Sequence, residues 1–301
     1  MNANPVIIAV SLTPAVDTPV STRFPWAIIA WFGALLAFSY APILAALVHQ
    51  WDVDPDMSHG FFVPVISAFM IWQRRHELMA IKARPDWRGL GLVLYGTAQL
   101  YLATLGAELF LARTAFVITI FGAVWMLGGL HMLRKLFFPL FLLFFMVPIP
   151  AVIYNRITFP LQLLASRLAG DALTVLGLPV LREGNILELP EQRLSVVEAC
   201  SGIRSLLTLT FLSLVFGHFF ERKTWIRIAL FLSTVPIAIV ANASRVTITG
   251  LITEWKPELA EGFFHTAQGW VIFMVSLFIL ILFHQVLTYA ERRWHAGRQP
   301  V

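Results

Sequence analysis

Long apolar runs separated by short polar connections organise this chain. Runs at about 26–48, 58–73, 89–107, 113–131, 135–154, 200–220, 226–250 and 264–288 each read as a bilayer-crossing helix, which needs roughly 20 mostly apolar residues. Stretches such as "LFFPLFLLFFMVP" contain no charged residue. Residues 160–180, "PLQLLASRLAGDALTVLGLPV", differ. Arg167 and Asp171 share one face at i and i+4, with leucine and valine elsewhere. That pattern predicts an amphipathic helix lying at the membrane surface. Downstream, "REGNILELPEQRLSVVEA" alternates over Ile186–Leu189 and Leu194–Val197, with Pro190 to Arg193 between. This predicts a β-hairpin. A lone hairpin is marginal in water, so it must pack on helix ends or the membrane surface.

The polar connections orient the chain. With the N-terminus cytoplasmic, 14 of the 22 lysines and arginines fall inside, including Arg74, Arg75, Arg134, Lys135, Arg222 and Lys223. Only five of the 17 acidic residues fall there. The outer connection "WDVDPDMSHG" is acidic. Excess Lys and Arg in cytoplasmic loops is the usual rule for orientation. Both termini are therefore expected inside. The expected fold class is an all-α polytopic membrane protein with about eight transmembrane helices, a small extracytoplasmic hairpin and an amphipathic segment. Its expected organisation is a flexible cytoplasmic tail over 1–25, a single transmembrane domain over 26–290 with an extracytoplasmic insert at about 155–199, and a basic cytoplasmic tail over 291–301.

Composition agrees with a bilayer setting. Of 301 residues, 58% are hydrophobic and 13% charged, with mean hydropathy +0.76. A soluble domain carries about 25% charged residues. The net charge of +5 follows from the topology and does not indicate a nucleic-acid partner. The single cysteine, Cys200, excludes an intramolecular disulfide and a multi-cysteine metal site. No cofactor and no metal are expected. Asp52, Asp54 and Asp56 alternate in the outer loop and read as a solvated acidic segment.

Candidate chemistry collects at the outer ends of three spans. Cys200, in "VVEACSGIRS", opens the sixth, between Glu198 and Arg204. Arg204 at i+4 and a helix N-terminus both favour thiolate over thiol. Ser201 and Gly202 keep the surroundings small. In the seventh span Asn242, Arg245 and Thr249 form a polar stripe at i, i+3 and i+7. An ionisable residue inside a span is costly and by default faces the protein interior. The eighth opens with "EGFFHTAQGW", placing His265 at the same end, followed by Thr266 and Gln268. A thiol and an imidazole can form a nucleophile–base pair, and a fixed cation can stabilise an oxyanion. Spacing alone does not choose between Arg204 and Arg245. The rival readings are a hydrolytic intramembrane cysteine protease and a non-enzymatic membrane protein of polysaccharide export.

The motifs "EACSGIRSL" (198–206), "NASRV" (242–246) and "FHTAQGW" (264–270) resemble those of the exosortase/archaeosortase family of membrane cysteine transpeptidases. The segments "W…SHGFFVPVIS" (51–67) and "GLPVLREGNILELP" (177–190) extend the likeness. The resemblance implies that Cys200 is the nucleophile, Arg245 the essential arginine and His265 the general acid/base. It implies a bacterial inner-membrane location with the site at the extracytoplasmic face. The implied substrates are exported bacterial proteins ending in a short motif of Pro-Glu-Pro type, a transmembrane helix and a basic tail. The acceptor is not implied, and a lipid or glycan is one candidate. Arg182, Arg193 and His59 are candidate substrate contacts, the two arginines through a substrate glutamate.

Overall fold

The computed structural model describes residues 26–190, 193–196, 203–255 and 263–296, the side chains of 26, 28, 29, 255, 263–268, 295 and 296 excepted. Among these residues lie nine α-helices: α1 Trp26–Val53, α2 Phe62–Gln73, α3 Arg75–Ala80, α4 Arg88–Leu105, α5 Leu109–Leu142, α6 Ala151–Val175, α7 Ile203–Phe220, α8 Thr224–Trp255 and α9 Phe263–Ala296. Large apolar side chains such as Phe38, Trp72, Leu105, Val175 and Phe278 stand exposed around the helices. An aqueous protein does not tolerate apolar surface on that scale; a bilayer covers it. The protein is an all-α membrane protein.

Among the described residues, five stretches are long and apolar enough to cross a membrane: Ala30–Val53, Leu109–Met146, Ile203–Phe220, Thr224–Glu254 and Gly269–Trp294. These five do not map one to one onto the eight expected runs, for physical reasons. The run at 58–73 begins in a 3-10 turn, Pro55–Phe61, leaving α2 only 12 residues. At 1.5 Å per residue that is about 18 Å, well short of the roughly 30 Å hydrocarbon core. The runs at 113–131 and 135–154 form one helical stretch that folds back at Gly129. Gly129 has φ +80°, and a Cβ there would lie 2.2 Å from the Arg84 carbonyl oxygen. Only glycine fits both constraints. The reversal brings Phe121 within 5.9 Å of Phe137 and 6.1 Å of Phe144, pairs far too distant along a straight helix. The second leg stops in "VPIP" (147–150), where two prolines break the helix before position 154. The amphipathic helix accordingly starts at Ala151 rather than 160 and ends at Val175.

Helix α6 buries Gln162, Ala165, Ser166, Ala169, Gly170 and Leu173 and exposes Arg167 and Asp171. The strand region is a three-stranded antiparallel sheet, not two strands: β1 Leu181–Glu183, β2 Ile186–Glu188 and β3 Arg193–Ser195, in the order β1-β2-β3. Leu187 pairs Leu194. The buried Leu187, Leu189 and Val196 join Ala169, Leu173 and Val246 in one apolar core, which packs the sheet onto α6 beside α8.

Polar contacts sort to two ends of the molecule. At one end Trp51 Nε1–H donates to the Met146 carbonyl at 2.9 Å, and Arg204 pairs with Asp56. At the other lie Lys135–Glu77 at 2.6 Å, Arg74–His218 at 3.1 Å and Lys223–Glu291 at 2.7 Å. Helix α7 links them, with Arg204 in its first turn and His218 in its last.

Candidate active site

The stripe Asn242–Arg245–Thr249 sits on α8 at the end that carries the sheet. Asn242 and Thr249 are buried, and Arg245 is half-buried. Val246, the next residue, belongs to the core under the sheet, so the sheet and α6 fix this part of α8. The Arg245 guanidinium lies against α9 at Gly269: a Cβ there would stand 3.4 Å from Arg245 Nη2 and 3.5 Å from Cζ. Glycine leaves the planar group room to lie directly on the helix. Position 265 is four residues before Gly269 in α9 and therefore falls on the same helical face. The side chain of His265 lies outside the described residues. So do Cys200, Glu198 and Ser201, in the segment 197–202. The ends of that segment are fixed. Val196 is buried, its N–H donating to the Asn185 carbonyl at 2.8 Å, and Ile203 is buried at the start of α7.

Arg204 is placed differently from Arg245. Its Nε–H donates to Asp56 Oδ1 at 2.7 Å, and the Tyr154 hydroxyl donates to Asp56 Oδ2 at 2.5 Å. One carboxylate thus joins the 3-10 turn, α6 and α7. Asp54 Oδ1 accepts from Asp56 N–H at 2.9 Å and shapes the turn that presents it. The acidic loop is therefore not simply solvated: Asp52 is exposed, while Asp56 is held between two partners. In the sequence Asp56 reads only as one of three solvated loop acids and Tyr154 carries no signal, because their contact spans 98 residues. Gly269 was within reach of sequence reasoning, since it stands one helical turn after His265 in "FHTAQGW".

The other candidates are set apart. Arg193 on β3 pairs with Glu188 across the sheet at 2.7 Å. Arg182 donates to the Gly184 carbonyl of its own turn at 3.1 Å. Both are exposed. His59 is buried, and its Nε2–H donates to the Phe145 carbonyl at 3.2 Å. Burial pushes its pKa below the ordinary histidine value, against the opposing pull of nearby backbone carbonyls and Asp56, which keeps the imidazole neutral. A small apolar cavity between α6, α7 and α8 is lined by Ala165, Leu206, Val235, Ile239 and Asn242, next to the Arg245 turn.

Fold and geometry together define a polytopic membrane protein with a half-buried arginine at the sheet-bearing end of its helices. The chain belongs to the transmembrane exosortase family: the Exosortase_EpsH family model matches residues 51–282. That span includes the 3-10 turn, the sheet, α7, α8 and the start of α9. No curated protein and no solved structure matched in the two other comparisons.

Proposed function

We propose that this protein is a membrane-embedded cysteine transpeptidase that processes C-terminal sorting signals of exported bacterial proteins. The observation that carries this reading is the seating of the Arg245 guanidinium on Gly269, one helical turn from position 265. Cys200 stands four residues beyond Val196, a covalent reach of at most about 14 Å, and Val196 shares the apolar core of Val246. The segment carrying Cys200 is thus tethered, through Val196, to the core that holds Val246.

The Cys200 thiolate attacks the carbonyl carbon of the peptide bond just before the substrate's membrane helix. The carbonyl π electrons move to oxygen, and the alkoxide is stabilised by Arg245. Collapse of this intermediate breaks the C–N bond, leaving an acyl thioester on Cys200, and the leaving amine takes a proton from protonated His265. An incoming acceptor gives its proton to the now neutral His265 and attacks the thioester, releasing the Cys200 thiolate. A site recessed among helices restricts water, which favours transfer over hydrolysis. In this reading Arg204 positions the start of α7 while Arg245 acts on the oxyanion.

The proposed setting is the bacterial inner membrane, with both termini cytoplasmic and the site extracytoplasmic. The chain would cross eight times, through α1, the 3-10 turn together with α2, α4, the two legs of α5, α7, α8 and α9. The charged ends support this: the end with Arg74, Lys135 and Lys223 would be cytoplasmic. Intact mass of a membrane-tethered candidate substrate, co-expressed with wild type, Cys200→Ala or His265→Ala, tests the reading. Shortening with an added acceptor mass, abolished by Cys200→Ala, is expected. Shortening to a free carboxylate would make the enzyme a protease. Equal processing by Cys200→Ala would reject a catalytic cysteine.

A further inference from the structure

At the end opposite Arg245, an apolar groove of about 520 Å³ opens between α1, α2, α3 and the α5 hairpin. It runs along α1 from Phe32 to Leu44, about 18 Å of helix. Small residues make the space: Gly33 and Ala37 on α1, and Ala123 and Gly128 on α5. Arg75 is the one charged side chain on its wall. Its guanidinium lies 4.4 Å from the centre of the Trp72 ring, and Nη1–H donates to the Trp72 carbonyl at 3.1 Å. Among the described residues Arg75 has no carboxylate partner, because the nearby Glu77 is taken by Lys135. Lys82, Arg84 and Arg88 follow within the next 13 residues, against Glu77 and Asp86, so the segment 75–88 that runs past the groove is net positive.

We infer that this groove binds an anionic phospholipid of the bilayer, with an acyl chain along α1 and its phosphate at Arg75. Length, an apolar wall and one unneutralised cation at the mouth together fit an amphiphile with a negative head. A peptide helix with a basic tail is disfavoured by the same charge. A groove closed by a second copy of this chain would bring two basic mouths together. Each Lys or Arg near an anionic lipid surface contributes about 1 kcal/mol, or roughly fivefold in occupancy. The site is independent of the chemistry proposed around Cys200.

Native mass spectrometry of the full chain, released from mixed micelles holding phosphatidylglycerol and phosphatidylcholine in equal amounts, tests this. Wild type is expected to retain phosphatidylglycerol over phosphatidylcholine, by about fivefold if Arg75 alone sets the preference. Arg75→Gln should bring the ratio close to one without lowering total lipid retained. Gly33→Phe is the second variant. No atom lies within 4 Å of a Cβ at Gly33, so a side chain can leave the helix there into the groove space. It should lower retention of both lipids and leave thermal stability near wild type. Equal retention of the two lipids by wild type would overturn the inference, as would an unchanged preference in Arg75→Gln. A dimer signal lost in Gly33→Phe, with lipid retention unchanged, would assign the groove to a second copy instead.

Discussion

Asp56→Asn removes the charge that both Arg204 and Tyr154 address. The carboxylate accepts one hydrogen bond from each, at 2.7 and 2.5 Å. A hydrogen bond to a charged group contributes about 1.5–3 kcal/mol, whereas an exposed ion pair contributes about 0–1 kcal/mol. The Asp56 side chain is 16% exposed and that of Arg204 43%. Solvent screening therefore reduces the Arg204 bond to about 1 kcal/mol, while the Tyr154 bond stays near 1.5 kcal/mol. Asparagine keeps the volume and one acceptor oxygen, so the expected loss is about 1.5–2 kcal/mol, short of the full sum. Combining Asp56→Asn with Arg204→Gln should show a coupling of about 1 kcal/mol. The assay is denaturant or thermal unfolding of the four purified proteins in one detergent. A second readout is specific because Cys200 is the only thiol: its alkylation rate under native conditions. If the pair fixes the start of α7, both single variants should alkylate faster than wild type, and the double variant no faster than the singles. Additivity within about 0.3 kcal/mol, with unchanged alkylation, would refute the idea that Asp56 ties the 3-10 turn to α7.

Arg245→Ala should preserve the fold and lower substrate processing by about 10²–10³, the cost of one oxyanion donor, as read by single-turnover cleavage. Gly269→Val crowds the same guanidinium from α9 and should lower processing while leaving unfolding near wild type. Gly129→Ala forces a Cβ toward the Arg84 carbonyl, and the backbone region at φ +80°, ψ 173°, essentially restricted to glycine, alone costs about 1–3 kcal/mol. Folded yield in detergent should fall sharply, whereas Gly91→Ala, with nothing within 4 Å, should be neutral or better. Glu221 lies between α7 and α8. Burial raises its carboxyl pKa, but Lys223 N–H, His284 and Arg222 N–H outweigh it and hold the pKa below the ordinary 4.5. A depressed carboxyl stabilises the fold above its unfolded pKa and loses that contribution as pH falls through the folded value. Wild type should thus exceed Glu221→Gln in stability at pH 7, and the gap should narrow as pH drops below about 4.5.

Much of the fold was legible because a bilayer demands apolar runs, and those runs are visible residue by residue. Breaks were harder to place. The connection at Arg134 and Lys135 looked like the turn between two spans, since charge marks the ends of spans. The chain reverses earlier, at Gly129, because the turn is set by a backbone angle that only glycine adopts comfortably while packed on the Arg84 carbonyl. Strand β1, "LRE", carries one apolar residue in three and forms by pairing with β2, so no alternation announced it. Within the site, local spacing was informative: Asn242, Arg245 and Thr249 lie on one face of α8 as helical periodicity requires. The choice between two arginines was not local. Arg204 and Arg245 look alike in sequence, each one or two turns from a span's outer end. What separates them is a carboxylate 148 residues away in sequence and a missing side chain on a facing helix. Asp56 draws Arg204 into holding elements together, and Gly269 lets the Arg245 guanidinium lie against the helix that carries position 265. Both features lie on elements remote in sequence, which is why residue spacing left the two arginines equivalent and the packing of α7 and α9 distinguishes them.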